Sequence, residues 1–205
     1  MNAQQPAADN RATAPLDRRL AVPALIGRHD DFLFVAGLGG AAYDLIALTG
    51  DGHHVLPLAG AMGASCAMGL GLALAQPKRR VVVVTGDGEL LMNVGSLATI
   101  GVVAPANLSV ICVDNGLYLE TGGQQSHTSQ GVDLEVIARG SGFKLTRTVS
   151  REDQIAEAHA LLHAADGPYF VRLCVGPGDP PEIADKPYMN GAVCRARFRA
   201  ALLGT

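Results

Sequence analysis

The sequence contains no tryptophan, and aromatic residues of all kinds make up only 4%. Large rings are therefore few. Ala, Val and Leu supply the bulk, which suits helices lying close on a sheet rather than a β-sandwich. Cysteine is scarce: Cys66, Cys112, Cys174 and Cys194 are far apart and form no CxxC pair. This excludes a disulfide framework and a thiolate-held cluster, and it fits a reducing cytoplasm. There is no excess of positive charge. The formal net charge is −3, which argues against nucleic acid or an anionic membrane surface as the main partner. No signal peptide is visible, since the first 18 residues carry acids and lack an apolar core. They read as a disordered leader (1–18), leaving 19–205 as one domain. The most apolar stretch, 56–75, contains Pro57 and is rich in Gly and Ala, so it reads as a buried helix region rather than a membrane span.

Against these absences stand 25 glycines, many of them placed directly after apolar runs. The run Val81–Val84 reads as a buried strand ending at Gly86-Asp87-Gly88. A helix is expected over about 90–103, followed by a second apolar strand, 108–113, that runs into Asp114-Asn115-Gly116. Similar turns follow the short strand Phe32–Ala36, at Gly37-Leu38-Gly39-Gly40, and the strand 54–58, at Ala59-Gly60-Ala61-Met62-Gly63. The alternation of strands and helices along the chain predicts an α/β fold. The expected architecture is a parallel sheet of about six strands with helices on both faces. In such a sheet these turns collect at the carboxyl ends of the strands, the edge where ligands bind.

The two polar turns suggest a divalent metal ion holding a diphosphate. Asp87 offers a carboxylate oxygen, Asn115 an amide oxygen, and Leu117 a backbone carbonyl, the hard donors that Mg²⁺ prefers. Gly86 and Gly88 allow close approach of the backbone, and the N–H groups of Gly88 and Glu89 open a helix whose positive end suits phosphate. A lone Gly-Asp-Gly is also an ordinary turn. The pattern strand–GDG–helix–strand–Asn, with 26 residues (89–114) between Gly88 and Asn115, is far more specific.

On those residues the chain resembles the thiamine diphosphate enzymes of the decarboxylase and acetolactate synthase superfamily. The stretches GELLMNVGSLATI and ETGGQQSHT are most similar to the cofactor-binding half of the sulfopyruvate and phosphonopyruvate decarboxylases. The resemblance extends from about Asp30 to the carboxyl end. It implies thiamine diphosphate and Mg²⁺ as cofactors, with Asp87, Asn115 and Leu117 as metal ligands. It also implies that Gly39, Gly40, Gly60, Ala61 and Tyr118 line the cofactor site. Met62, read alone as core filler, is implied to wedge between the two cofactor rings. Glu120 and His127 become candidates for proton handling, each with an exposed loop residue as the bland alternative. Gln124, Gln125, Ser126 and Thr128 are uncharged donors available to a sulfonate or phosphonate. His53 and His54 are expected to be structural or exposed.

In this superfamily a second, pyrimidine-binding domain supplies the glutamate that activates the cofactor. The chain is too short to hold both domains, so the resemblance implies an α-type partner chain that brings the catalytic glutamate in trans, in an even-numbered assembly. The activity implied is decarboxylation of a small 2-oxo acid, foremost 3-sulfopyruvate to sulfoacetaldehyde and CO2. Alternatives are a phosphonopyruvate decarboxylase, an acetolactate synthase-like carboligase, and a cofactor-binding scaffold without activity of its own. The β chain of a 2-oxo acid oxidoreductase would need iron–sulfur ligands that these cysteines do not provide.

Overall fold

The computed structural model describes residues 15–164, 166–184 and 189–204. Six strands form one parallel sheet: β1 (Phe32–Ala36), β2 (Val55–Pro57), β3 (Arg80–Gly86), β4 (Leu108–Asp114), β7 (Leu145–Val149) and β8 (Tyr169–Cys174). The sheet order is β2-β1-β3-β4-β8-β7, and every neighbouring pair is parallel. A separate antiparallel hairpin joins β5 (Leu117–Tyr118) to β6 (Gln124–Gln125).

Residues alternate between two cores because strand side chains alternate between faces. Phe32, Phe34, Val82, Val84, Ile111 and Val171 pack under α1 (Arg18–Ile26), α2 (Gly40–Thr49) and α7 (Ile155–Ala164). Leu33, Val35, Val81, Val83, Val110 and Phe170 pack on the opposite face. That face is covered by α3 (Ser65–Ala75), α5 (Ser96–Val103), α6 (Leu134–Gly140) and α8 (Gly191–Leu203). Helices therefore cover both faces, as the alternating apolar pattern predicts. The small residues of α3 let it lie close on the sheet: a Cβ on Gly69 would overlap the Val83 side chain. Among the described residues no helix is long and apolar enough to cross a membrane.

Several sequence expectations need correction. The single helix expected over about 90–103 is two, α4 (Asp87–Met92) and α5. Asn93 leaves helical geometry at φ −143°, and its carbonyl accepts from both the backbone N and the hydroxyl of Ser96. Residues 15–18 of the expected leader are part of the fold, because Leu16 bridges Val175 and Arg18 opens α1. The remainder of that expectation, 1–14, lies outside the described residues. After β7, Gln154 accepts from the backbone N–H groups of Ser150 and Arg151. In α8, Arg197 forms a two-point ion pair with Asp51, at 2.5 and 2.7 Å.

Candidate cofactor and metal site

The chain passes from β1 out to β2 and then returns to β3 on the other side of β1. The carboxyl ends of β1 and β3 thus form a topological switch point, with β4 next to them. A cleft of about 430 Å³ opens there. Gly40, Met62, Gly86, Asp87, Gly88, Glu89, Asn115, Leu117, Tyr118 and Glu120 line it. So residues from four separate sequence turns meet at one edge. Gly39, Gly60 and Ala61 belong to two of those turns but are not among the lining residues, and His127 is not either.

Asp87 is the first residue of α4 and is 2% exposed. The hydroxyls of Ser126 and Thr128 converge on its Oδ2, the latter at 3.2 Å. Thr128 Oγ1 also donates to Asp114 Oδ1 at 2.7 Å. Arg172 Nε donates to Asp114 Oδ2 at 2.7 Å, which closes a buried chain of polar contacts beneath the cleft. Burial is the main cause that raises the Asp87 pKa; the Ser126 hydrogen bond opposes it, and the charge of Asp114 adds to it. Among the described residues no cation pairs with Asp87. A buried carboxylate without a cation is costly unless something positive joins it. Asp87 therefore fits a metal ion.

The other two expected ligands are suitably placed. Asn115 lines the cleft, and its Oδ1 accepts from Leu117 N at 3.0 Å, which fixes the turn. In the hairpin, Ser126 N donates to Gly116 O and Gly123 N to Tyr118 O. Those ladder bonds pass over Leu117, whose carbonyl therefore points away from the partner strand. A carboxylate, an amide oxygen and a carbonyl form a hard donor set that suits Mg²⁺.

Glu89 has a further role that a reading of its backbone N–H alone misses. Its Oε2 accepts from Leu38 N and from the Thr85 hydroxyl, each at 2.9 Å. Its Oε1 is buried without a hydrogen-bond partner. A Cβ at Gly37 would overlap this carboxylate, so the turn after β1 is fastened to the turn after β3. Glu120 reaches across the cleft to Gly39, the residue before α2, which adopts φ +58°. The exposed His127 instead pairs with the Tyr118 hydroxyl at 3.3 Å.

Sequence reasoning missed Arg172, which lies within a strand 58 residues from its partner Asp114. It also misassigned Ser126 and Thr128: these are buried and face Asp87, whereas Gln124 and Gln125 are exposed. No apolar–polar alternation in Gln125–Ser129 marks them in the sequence; the burial of alternate residues there comes from the fold.

Residues 39–173 match the thiamine pyrophosphate enzyme family, at its C-terminal TPP binding domain. Phosphonopyruvate decarboxylase of Streptomyces viridochromogenes is 39% identical over 170 residues, 83% of this chain and 42% of that protein. Sulfopyruvate decarboxylase subunit beta of Methanothermobacter thermautotrophicus is 37% identical over 175 residues, 85% of this chain and 88% of that protein. The chain thus spans less than half the length of the first relative and most of the second. Among solved structures, thiamine diphosphate-dependent 4-hydroxybenzoylformate decarboxylase of Rhodococcus jostii superposes with a TM-score of 0.62 at 21% identity. It covers 86% of this chain and 35% of that one, a likeness of fold alone.

Proposed function

The chain belongs to the thiamine pyrophosphate enzyme family, and on that premise we propose that it is the cofactor-binding chain of a two-chain 2-oxo acid decarboxylase acting on 3-sulfopyruvate. The observation that carries this reading is Asp87, a buried carboxylate that no cation among the described residues pairs with, beside Asn115 and Leu117 at the switch point. Near-complete coverage of a sulfopyruvate decarboxylase beta subunit supports the substrate and the division into two chains. Phosphonopyruvate is the second substrate reading, supported by 39% identity to that decarboxylase.

In this reading Asp87, Asn115 and the Leu117 carbonyl hold Mg²⁺, and the backbone at Gly86, Gly88 and Glu89 approaches the diphosphate. Bound thiamine diphosphate supplies the electron sink that lets a 2-oxo acid lose CO2. Ser126 and Thr128 hold Asp87 in a fixed orientation, so metal binding requires little reorganisation. Met62, 51% exposed at the cleft, would wedge between the two cofactor rings. The Glu120 carboxylate, exposed at the rim, exchanges protons with the reacting centre, and Tyr118–His127 orients the hairpin beside it. A pyrimidine-binding partner brings the glutamate that activates the cofactor, in an even-numbered assembly.

The test is calorimetric titration of the purified chain with thiamine diphosphate and Mg²⁺, alone and mixed with a candidate partner chain, followed by sulfopyruvate. Metal-dependent binding in the mixture with CO2 release is expected. Absence of binding in both conditions overturns the cofactor role. Binding without CO2 from sulfopyruvate or phosphonopyruvate overturns the decarboxylase reading and leaves the carboligase or the scaffold.

A further inference from the structure

A second cluster of metal-ligating side chains lies at the opposite edge of the sheet, away from the cleft. The turn His29–Asp31 leads into β1, and His54 immediately precedes β2. Because β1 and β2 are parallel neighbours, these two strand starts lie side by side. Nδ1 of His29 lies 3.1 Å from Nε2 of His54 and 3.2 Å from Oδ1 of Asp30. One ligand atom from each of the three residues falls within 4.8 Å of the others. We propose that His29, Asp30 and His54 form a binding site for a borderline divalent transition-metal ion, with Zn²⁺ the best fit, separate from the cofactor cleft.

The spacing carries the argument. Zinc binds imidazole nitrogen and carboxylate oxygen at about 2.0–2.2 Å, and a tetrahedral arrangement then sets the ligand atoms about 3.3 Å apart. The two edges here, 3.1 and 3.2 Å, are close to that value. Two imidazoles and one carboxylate leave a fourth position for water, the composition of an open zinc site. Oxygen-seeking Mg²⁺ and Ca²⁺ have little use for two nitrogen donors, so the two metal sites are chemically distinct.

The donors are also held in place. A Cβ on Gly52 would stand 2.5 Å from Cε1 of His54, so the ring lies tightly against that turn. Its other neighbour is Phe34, with ring centroids 5.9 Å apart. The His29 and His54 rings are within 6° of parallel and meet nitrogen to nitrogen, so one ring must turn its lone pair toward the ion when metal binds. A neutral imidazole is the form a metal requires. In the metal-free chain the two rings share one N–H···N bond. With metal bound, His29 keeps its proton on Nε2 and His54 on Nδ1, so a tautomer shifts and no proton is released. The site would tie the turn before β1 to the start of β2, 25 residues away.

The test titrates the metal-free full chain with zinc chloride, followed by calorimetry and by NMR of the histidine rings, with magnesium chloride alongside. One zinc per chain is expected, with shifts of the His29 and His54 signals and none of His127. Asp30 is 86% exposed at its side chain, so Asp30→Asn leaves the fold intact; it should weaken zinc binding at least about tenfold. His54→Gln should weaken it further, and excess magnesium chloride should leave the zinc-induced shifts of His29 and His54 in place. Zinc binding that is unaltered by Asp30→Asn and His29→Asn, or no histidine response at millimolar zinc, overturns the proposal.

Discussion

Beneath the cleft, Asp87, Asp114, Ser126 and Thr128 are buried and joined by hydrogen bonds, with Arg172 closing the chain. At its rim, Met62, Leu119 and Glu120 are exposed, and the two-residue strands of the hairpin carry much of that rim. The floor is buried and hydrogen-bonded throughout, whereas the rim faces outward. In the proposed function this division leaves metal and diphosphate to the chain's own core and the reacting end to surfaces that face outward.

The strongest way to break the comparison is at Asp87. Asp87→Ala should abolish Mg²⁺-dependent binding of thiamine diphosphate, a loss of about a hundredfold or more, read by calorimetry. Arg172→Met leaves the Asp114 carboxylate buried without its cation. It should destabilise the chain by about 3 kcal/mol in urea unfolding, since removing one member of a buried pair strands the other. Metal affinity should fall with it, because Asp114 anchors Thr128.

A third test uses pH. The folded Asp87 pKa is raised, chiefly by burial, so the folded chain holds its proton more tightly than the unfolded chain. The stability this gives is fully present below the ordinary carboxylate pKa and is lost as pH rises through the raised value. In thermal unfolding of the metal-free chain, Asp87→Asn should flatten that decline and raise stability near neutral pH while removing metal binding. An unchanged pH profile would mean that the floor does not strain this carboxylate.

Rim substitutions sharpen the contrast from the other side. Met62→Ala should weaken cofactor binding severalfold in the presence of a partner and leave unfolding within about 0.5 kcal/mol, as for an exposed side chain. Outside the rim, His127→Ala should have the smallest effect, a modest change in turnover with cofactor affinity intact. A large stability loss from Met62→Ala would place the rim within the folded core.

Much of this division is legible in the sequence, for identifiable reasons. Apolar runs that end in Gly-Asp-Gly and Asp-Asn-Gly report both the strands and the edge on which they converge. Asp114 attracts little weight in the sequence, where it stands only as the first residue of a polar turn. Its ion pair with Arg172 shows why an acid is accommodated there. Arg172 stays hidden because a strand residue gives no local sign of which neighbouring strand it will face. The helix break at Asn93 is hidden for the same kind of reason: the Asn93 side chain is drawn to the carbonyl of Gly63, 30 residues earlier. His54 reads as structural, and its proximity to His29 emerges only once β1 and β2 are paired.

The Glu89 carboxylate occupies the space a side chain at position 37 would need, while it holds the backbone of Leu38. Positions 37 and 89 are therefore not free to vary independently. Across a set of relatives, any residue larger than glycine at the first should appear together with a shorter residue at the second. In directed evolution of this chain, a Gly37 substitution should survive only in clones that have also replaced Glu89. The evolutionary record would then carry the imprint of one hydrogen-bonded contact as a coupled pair of alphabets.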